Sequence, residues 1–287
     1  MNSLAAKFSD WGHLHEALGA LPDEAISLGG GSISNAMRIR VGGNFYFMKY
    51  IRRSLPDFFL KEKIGLDLLR HSCSLRIPEV FALGRDEEAD WIVMEYIESS
   101  QALPESWSHL GYAMAGLHGC SKTHFGLNCD NYIGELVQRN ELATDWETFF
   151  VRSRLMPLVS SAKEHFSSLD QMKWERLYQT IGNFGFTRKP ALLHGDLWQG
   201  NVMFSSVGAV LIDPAVYFGV PEMDIGMSRL FGGFNKVFYD SWYEEAKPEP
   251  GWQERAELCN LYPLLVHLNL FGAGYLSSVR QLLNRYV

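Results

Sequence analysis

The sequence predicts an α+β fold with two lobes: a small N-terminal lobe with an antiparallel sheet and a larger, mainly helical C-terminal lobe. In the first third of the chain, several short stretches read as strands and two stretches have helical spacing. A short polar segment after Ile97, residues 98–101, is followed by helical patterns. We therefore expect an N-lobe of residues 1–97 and a C-lobe of residues 98–287.

The pattern of the N-lobe predicts a helix, a glycine run, and two pairs of strands with a helix between the pairs. Gly42, Gly43 and Asn44 form a predicted turn, because glycine and asparagine tolerate the backbone angles of a tight hairpin. The predicted elements are an amphipathic helix over 2–20, strands over 33–41 and 45–51, a helix over 58–70, and strands over 80–83 and 91–96.

The pattern of the C-lobe predicts helices on both sides of one strand-like segment. The most apolar tract, residues 261–276, contains Pro263, His267 and Asn269, so it predicts a buried helix and a turn rather than a membrane span. The predicted helices lie near 107–119, 145–161, 167–182, 222–232, 235–245 and 252–270.

The composition is typical of a soluble globular protein that acts on small molecules. Of 287 residues, 47% are hydrophobic and 21% charged, and a net charge of −7 argues against nucleic acid as the main partner. The four cysteines form no C-x-x-C pair, which argues against a zinc knuckle or a redox dithiol. The N-terminus has no basic segment followed by an apolar core. Together these features predict a cytoplasmic protein without a membrane partner.

One segment of the C-lobe, residues 194–213, carries the groups needed for phosphoryl transfer. Asp196 stands five residues before Asn201, and Asp213 follows twelve residues later, at the end of an apolar run. The carboxylate of Asp196 can orient a hydroxyl nucleophile, while the amide and the second carboxylate can hold Mg²⁺ on a nucleotide. This spacing is typical of the catalytic half of a kinase-like phosphotransferase.

A glycine run and two charged residues of the N-lobe predict a site for nucleotide phosphates. Gly30, Gly31 and Ser32 would let backbone N–H groups approach the phosphates without a clash from Cβ atoms. Lys49, inside a predicted strand, would bring a positive charge to them. Glu62 follows thirteen residues later on the predicted helix and would pair with Lys49.

The end of the last N-lobe strand completes the predicted site, since Met94, Glu95 and Tyr96 would offer backbone groups to an adenine edge. Each of these features is common alone, but together they follow the order of parts in a protein-kinase-like fold. The predicted cofactors are therefore ATP and Mg²⁺. The P-loop, the Rossmann fingerprint, H-E-x-x-H and G-x-S-x-G are all absent.

Two features favour a small acceptor over a protein-kinase substrate. Gly195 stands between His194 and Asp196, where protein kinases carry an arginine that receives an activation-loop phosphate. Asp224 follows Asp213 after only eleven residues, which leaves little chain for a peptide-binding activation segment. We expect Asp224 to anchor the catalytic loop from a helix start, and His194 to fix that loop by hydrogen bonds.

Longer stretches resemble the fructosamine kinase (ketosamine 3-kinase) family. The Asp-Leu-Trp-x-Gly-Asn block at 196–201 and the Asp-Pro-Ala-x-Tyr block at 213–217 are specific to that family. Further matching stretches are residues 29–34, 94–96, 217–219, 222–224, 230–234 and 261–272. The resemblance implies an ATP-dependent kinase for O3 of the sugar in a ketosamine, free or on a glycated protein, that serves deglycation or repair. Ser32 stands where many members have cysteine, so we expect no thiol–disulfide switch in the glycine loop.

Three residues near the catalytic segment are candidate substrate contacts. Trp198 could stack on a sugar face or be a core aromatic between the loop and a helix, and Glu222 could meet the cationic amine of a ketosamine. Tyr217 is a further candidate, although a place in the core explains it more simply. His267 is expected to be a core histidine, with a place at the substrate cleft as the alternative, and residues 231–234 are expected to pack tightly between helices.

Two alternatives remain open from the sequence. The enzyme could be an aminoglycoside- or choline-type phosphotransferase that acts on another hydroxylated amine. The chain could also be a non-catalytic, kinase-like nucleotide-binding protein, although it keeps the lysine and the metal-binding carboxylate that pseudokinases commonly lose.

Overall fold

A five-stranded antiparallel sheet precedes a mainly helical region in the computed structural model, which describes residues 12–29, 34–52, 55–85, 89–186 and 189–287. The strands of this sheet are β1 (Glu24–Leu28), β2 (Asn35–Val41), β3 (Asn44–Ile51), β4 (Val80–Arg85) and β5 (Asp90–Glu95). Their order is β1-β2-β3-β5-β4, and each neighbouring pair is antiparallel. The predicted α+β class is confirmed.

Most of the α-helices follow the sheet in the chain, and short two-stranded ladders lie between them in sequence. The α-helices are α1 (Gly12–Leu18), α2 (Phe58–Ser72), α3 (Pro104–Gly119), α4 (Trp146–Phe149), α5 (Met156–Ser161), α6 (Ser168–Thr180), α7 (Glu222–Arg229), α8 (Lys236–Ala246), α9 (Trp252–Cys259), α10 (Leu261–Phe271) and α11 (Leu276–Arg285). The ladders pair β6 (Asn131–Ile133) with β7 (Leu136–Gln138), β8 (Ala191–Leu193) with β11 (Tyr217–Gly219), and β9 (Val202–Ser205) with β10 (Gly208–Leu211). No helix within the described ranges is both long enough and apolar enough to cross a bilayer.

Most predicted elements are confirmed, with ends that differ by a few residues. The predicted helix over 145–161 contains a π-helical segment, Phe150–Leu155, between α4 and α5. The predicted helix over 252–270 is two helices, α9 and α10, which meet at Asn260. The prediction missed β1 and α11. Of the predicted N-terminal helix over 2–20, residues 2–11 lie outside the described residues.

Buried side chains connect the sheet to the helices. One core cluster includes Ile92 and Met94 of β5, Leu110 of α3 and Phe238 of α8. Gly111 lets α3 approach α8 closely, because a Cβ at this position would lie 2.4 Å from the carbonyl oxygen of Phe238. The same cluster contains Leu197 and Val216, so it also packs the segment between β8 and α7 against β5.

Candidate active site

The loop that follows β8 is held by the carboxylate of Asp224, in the first turn of α7. Oδ2 of Asp224 accepts the backbone N–H of His194 at 2.8 Å, and Oδ1 accepts that of Gly195 at 2.9 Å. Nε2 of His118 on α3 lies 3.2 Å from the same Oδ2. Gly195 has a φ of +82°, and a Cβ there would lie 2.0 Å from the carbonyl oxygen of Ala215. Only glycine fits this turn.

His194 connects this loop to the strand end before Asp213. Its Nε2 donates a hydrogen bond to the carbonyl of Ile212 at 3.0 Å, and its Nδ1 accepts the N–H of Asp196 at 3.3 Å. Because one ring nitrogen donates and the other accepts, the ring is neutral. Burial lowers the pKa of His194, although the charge of Asp224 opposes this, and the neutral form is favoured. The imidazole therefore positions the loop, and both of its nitrogens are occupied.

The side chain of Asp196 is only partly exposed, and the pKa of its carboxyl group is well above the usual value. The side-chain nitrogen of Asn201 donates to Oδ2 of Asp196 at 2.7 Å and to its backbone carbonyl at 2.9 Å. Burial raises the pKa of Asp196 to about 7, and the charges of Asp213 and Asp224 add to this effect. The hydrogen bond from Asn201 lowers the pKa but does not cancel the rise. A carboxyl group with a pKa near neutrality is suited to take up a proton during a reaction.

Asp213 meets a buried lysine from the sheet. It follows β10 with a left-handed φ of 53°, and its carboxylate accepts a hydrogen bond from Nζ of Lys49 on β3. The same Nζ donates to Oε1 of Glu62 on α2 at 2.7 Å. Although burial disfavours its charge, the two carboxylates raise the pKa of Lys49, so the ammonium group stays charged. Burial also raises the pKa of Glu62.

These groups face one cavity of about 650 Å³ between the sheet and the helical region. Its polar lining includes Lys49, Glu62, Asp196, Asn201 and Asp213. Met94, Glu95 and Tyr96 line it from the sheet side. The pairing of β5 with β3 ends at Glu95, so the backbone of Tyr96 lies beyond the sheet. A cavity of this size can hold a nucleotide-sized ligand.

The predicted phosphate-binding glycines fall in a gap of the structure. Gly30, Gly31 and Ser32 lie outside the described residues. Gly29 and Ser34, on the two sides of the gap, both line the cavity.

Comparison with known proteins identifies the family. The family model for fructosamine kinase matches residues 10–287. The chain belongs to the fructosamine kinase family.

Relatives and solved structures agree with this membership. The chain is 38% identical over 271 residues to an Enterococcus faecium protein named "Probable ketoamine kinase", with 93% of this chain and 96% of the relative covered. It is 34% identical to "Protein-ribulosamine 3-kinase, chloroplastic" of Oryza sativa subsp. japonica, with 91% and 78% covered. A crystal structure from Haemophilus somnus named "Putative fructosamine-3-kinase" superposes with a TM-score of 0.87 at 27% identity and covers 96% of this chain and 95% of its own. The aminoglycoside phosphotransferase APH(4)-Ia shares the fold, with a TM-score of 0.61 at 17% identity and 95% of each chain covered. The predicted protein-kinase-like fold is thus confirmed.

In this member of the fructosamine kinase family, the three candidate substrate contacts occupy different environments. Trp198 lines the cavity and is 36% exposed. Tyr217 is fully buried, with its ring centroid 3.9 Å from the guanidinium carbon of Arg154. Glu222 is also buried, and its Oε1 accepts a hydrogen bond from Nε of Arg255 at 2.9 Å. The substrate contacts suggested for Tyr217 and Glu222 are therefore not supported, because neither side chain lines the cavity.

Two other predictions about packing need correction. Phe234 is buried as expected, but Phe231 of the same stretch is 38% exposed. His267 is only half-buried rather than a core histidine. The ring centroids of Phe231 and His267 lie 4.4 Å apart.

One part of the cavity wall was not predicted from the sequence. Asn131 and Tyr132 of β6 line it next to the start of α2. The side-chain nitrogen of Asn131 donates to the carbonyl of Val216 at 2.9 Å, which ties β6 to the segment after Asp213. The ring of Tyr132 lies 5.2 Å from that of Phe58. A three-residue strand carries no periodic signal, so nothing in the sequence distinguished this segment from an ordinary turn.

Proposed function

We propose that the protein is an ATP-dependent kinase that transfers the γ-phosphoryl group of ATP to O3 of the sugar in a ketosamine. The observation that carries this proposal is the convergence of Lys49, Asp196, Asn201 and Asp213 on one cavity. The names of the relatives, ketoamine kinase and ribulosamine 3-kinase, support the class of acceptor. Such a reaction would serve the removal of sugars from glycated amines or proteins.

In the proposed reaction, Asp196 is the catalytic base. O3 of the sugar attacks the γ-phosphorus, and its proton passes to the carboxylate of Asp196. The bond from the γ-phosphorus to the bridging oxygen breaks, and ADP leaves with the electron pair. The hydrogen bond from Asn201 to Oδ2 of Asp196 would fix the carboxylate so that its other oxygen faces the acceptor.

Asn201 and Asp213 fit the role of Mg²⁺ ligands. The side-chain nitrogen of Asn201 is directed at Asp196 and, at 3.4 Å, at the carbonyl of Asp213, which leaves the amide oxygen available. The side chain of Asp213 is 44% exposed. Hard oxygen donors of this kind suit Mg²⁺, which usually takes one or two carboxylates and completes its shell with phosphates and water. When bound, Mg²⁺ would offset negative charge on the phosphates of ATP.

The sheet side of the cavity would bind the nucleotide. Lys49 would contact the phosphates, while Glu62 holds its ammonium group in place. The proposed nucleotide contacts are Gly30, Gly31, Ser32, Lys49, Glu62, Met94, Glu95 and Tyr96. We propose the division into an N-lobe of residues 1–97 and a C-lobe of residues 98–287 on the same basis, since strand pairing ends at Glu95.

We further propose that the enzyme works in the cytoplasm on small ketosamines or glycated proteins, and not on nucleic acid or membranes. The net charge of −7 supports this, because a negatively charged protein repels phosphate backbones.

A panel of acceptors tests the proposal. ADP release would be measured with fructosyl-lysine, ribulosyl-lysine, an aminoglycoside and choline, using wild type, Asp196→Asn and the surface control Asp240→Asn. We expect turnover on a ketosamine, a loss of kcat of about 10²–10⁴-fold in Asp196→Asn with ATP binding retained, and no change in Asp240→Asn. Turnover on the aminoglycoside or choline alone would refute the acceptor class. ATP binding without ADP release for any acceptor would refute the kinase activity.

A further inference from the structure

Five aromatic rings form a continuous, partly exposed surface that begins at the cavity, here called the aromatic strip. It consists of Trp198, Phe231, His267, Phe271 and Tyr275. The ring centroids of Trp198 and Phe231 are 6.4 Å apart, and those of Phe231 and His267 are 4.4 Å apart. The ring of His267 lies 5.0 Å from Tyr275 and 5.4 Å from Phe271. Phe231 and Phe271 are 38% and 53% exposed, so the strip faces solvent.

Trp198 joins the aromatic strip to the proposed catalytic base. Trp198 and Asp196 both line the cavity, and the backbone N–H of Trp198 donates to the carbonyl of Asp196 at 3.1 Å. The indole lies against Gly200, where a Cβ would be 2.3 Å from two of its ring atoms. A group that leaves the cavity over Trp198 therefore meets Phe231 next.

Phe231 has a strained backbone. Its φ of 55° is in the left-handed region, which is unfavourable for a residue with a side chain. Gly232 and Gly233, which follow it, also have positive φ values of 106° and 72°. Phe231 is partly exposed, so burial of its ring offsets this strain only in part. Backbone strain of this kind clusters at active sites and ligand-binding sites.

His267 adds a polar group to the aromatic strip. Its Nδ1 donates to the carbonyl of Pro263, one turn earlier on α10, at 2.8 Å. Burial lowers the pKa of His267, which favours the neutral ring with a lone pair on Nε2. The strip therefore combines π faces with one acceptor for an N–H or O–H group.

We propose that the aromatic strip binds the amine-bearing part of the acceptor, namely the lysine side chain and flanking peptide of a glycated polypeptide. This inference rests on the proposed kinase activity. A ketosamine has a secondary ammonium group beside its sugar, and the faces of Trp198 and Phe231 attract such a cation. Methylene groups and peptide beyond the ammonium would cover apolar surface on Phe231 and Phe271. An open strip lets the rest of a polypeptide pass, whereas an enclosed pocket would not.

Two acceptors that share one sugar test this proposal: the ketosamine of methylamine and a short peptide with one ketosamine-modified lysine. The variants are Phe231→Ala and Phe271→Ala, with Phe81→Ala as control, since Phe81 is a 48% exposed phenylalanine of β4 outside the strip. We expect each strip variant to lower kcat/KM for the peptide about tenfold more than for the methylamine derivative, because only the peptide has methylene groups and backbone that cover the rings. Phe81→Ala should leave both values unchanged. Phe231→Gly, which relaxes the left-handed backbone, should reproduce the kinetic change without loss of thermal stability.

Three results would overturn the proposal. Equal effects on both acceptors would assign the rings to the shared sugar and ammonium group and not to the lysine chain or the peptide. No effect on either acceptor would show that the rings do not contact the acceptor. A concentration-dependent dimer that dissociates in Phe231→Ala, with unchanged kinetics, would assign the strip to a second copy of the chain. Failure of wild type to turn over either acceptor would instead refute the proposed function, so the two failures are distinguishable.

Discussion

The side-chain amide of Asn201 donates a hydrogen bond of 2.7 Å to Oδ2 of Asp196. This contact favours the charged carboxylate, yet burial and neighbouring carboxylates outweigh it and raise the pKa of Asp196 to about 7. An unfolded chain would ionise the same group near pH 4. Ionisation of Asp196 in the folded protein therefore lowers the free energy of unfolding.

Asp196→Asn should make the protein more stable in a pH-dependent way. Because the native pKa lies above the unfolded one, the wild type loses stability as the pH rises from about 4 to about 7, and the loss is complete above that range. The asparagine has no charge and keeps an oxygen that can accept the bond from Asn201. We expect the variant to gain about 1–3 kcal/mol at pH 8 and little near pH 4. Urea unfolding at several pH values measures this difference, and a gain that did not change with pH would contradict the raised pKa.

Lys49→Met should impair both nucleotide use and stability. The change leaves Glu62 and Asp213 without the ammonium group that they share. We expect kcat/KM for ATP to fall about 10²–10³-fold, since the charge near the phosphates is lost. The pKa of Glu62 is already raised by burial and should rise further, so the loss of stability should be larger at pH 8 than at pH 5.

Lys63→Met is the matched control for this change. Lys63 is on the same helix as Glu62, and its partly exposed ammonium group pairs with Asp67. Loss of that pair should change the free energy of unfolding by less than about 0.5 kcal/mol and leave the kinetics for ATP intact. Similar kinetics in the two lysine variants would reject the proposed role of Lys49.

The convergence of Asp196, Asn201 and Asp213 could be predicted because these residues lie close together along the chain in a fixed order. Asp196, Asn201 and Asp213 span a short stretch, and local hydrogen bonds set their geometry. Nearness in sequence did not predict the environment of Glu222. This residue stands only two positions before Asp224, but its side chain is buried in the core and does not line the cavity. Its partner Arg255 lies on α9, and no local pattern indicates such a pairing.

The long strands of the sheet were predictable for a similar reason, since periodicity needs several residues to appear. β6, with Asn131 and Tyr132 in the cavity wall, has three residues, and its position depends on a hydrogen bond to Val216, a residue 85 positions later. The aromatic strip likewise combines loop residues with α10, so only the folded chain brings Phe231 to His267.

Gly195→Ala should disrupt the backbone of the loop that carries Asp196 and so lower both stability and activity. A Cβ at this position would lie 2.0 Å from the carbonyl oxygen of Ala215, and φ is +82°. Backbone atoms cannot yield as a side chain can, so we expect a loss of about 2–4 kcal/mol in stability together with most of the activity. Thermal unfolding and ADP release measure the two effects.

Gly116→Ala provides the control, because this exposed glycine of α3 has open space around its Cβ position. Alanine favours a helix over glycine, so stability should rise by about 0.5–1 kcal/mol with activity unchanged. Equal losses in the two variants would show that the turn at Gly195 has no special requirement for glycine.

Glu222→Gln distinguishes a structural role of this carboxylate from contact with the substrate. Both side chains of the Glu222–Arg255 pair are nearly inaccessible, at 3% and 6% exposure, so loss of the charge leaves a buried guanidinium without its counter-ion. We expect a loss of about 2–4 kcal/mol in the free energy of unfolding, while KM for the acceptor stays close to wild type. The surface change Glu254→Gln on α9 should have little effect on either quantity. In the double variant Glu222→Met with Arg255→Met, no buried charge remains unpaired, so much of the lost stability should return. A large rise in acceptor KM with stability unchanged would instead restore Glu222 to the substrate site.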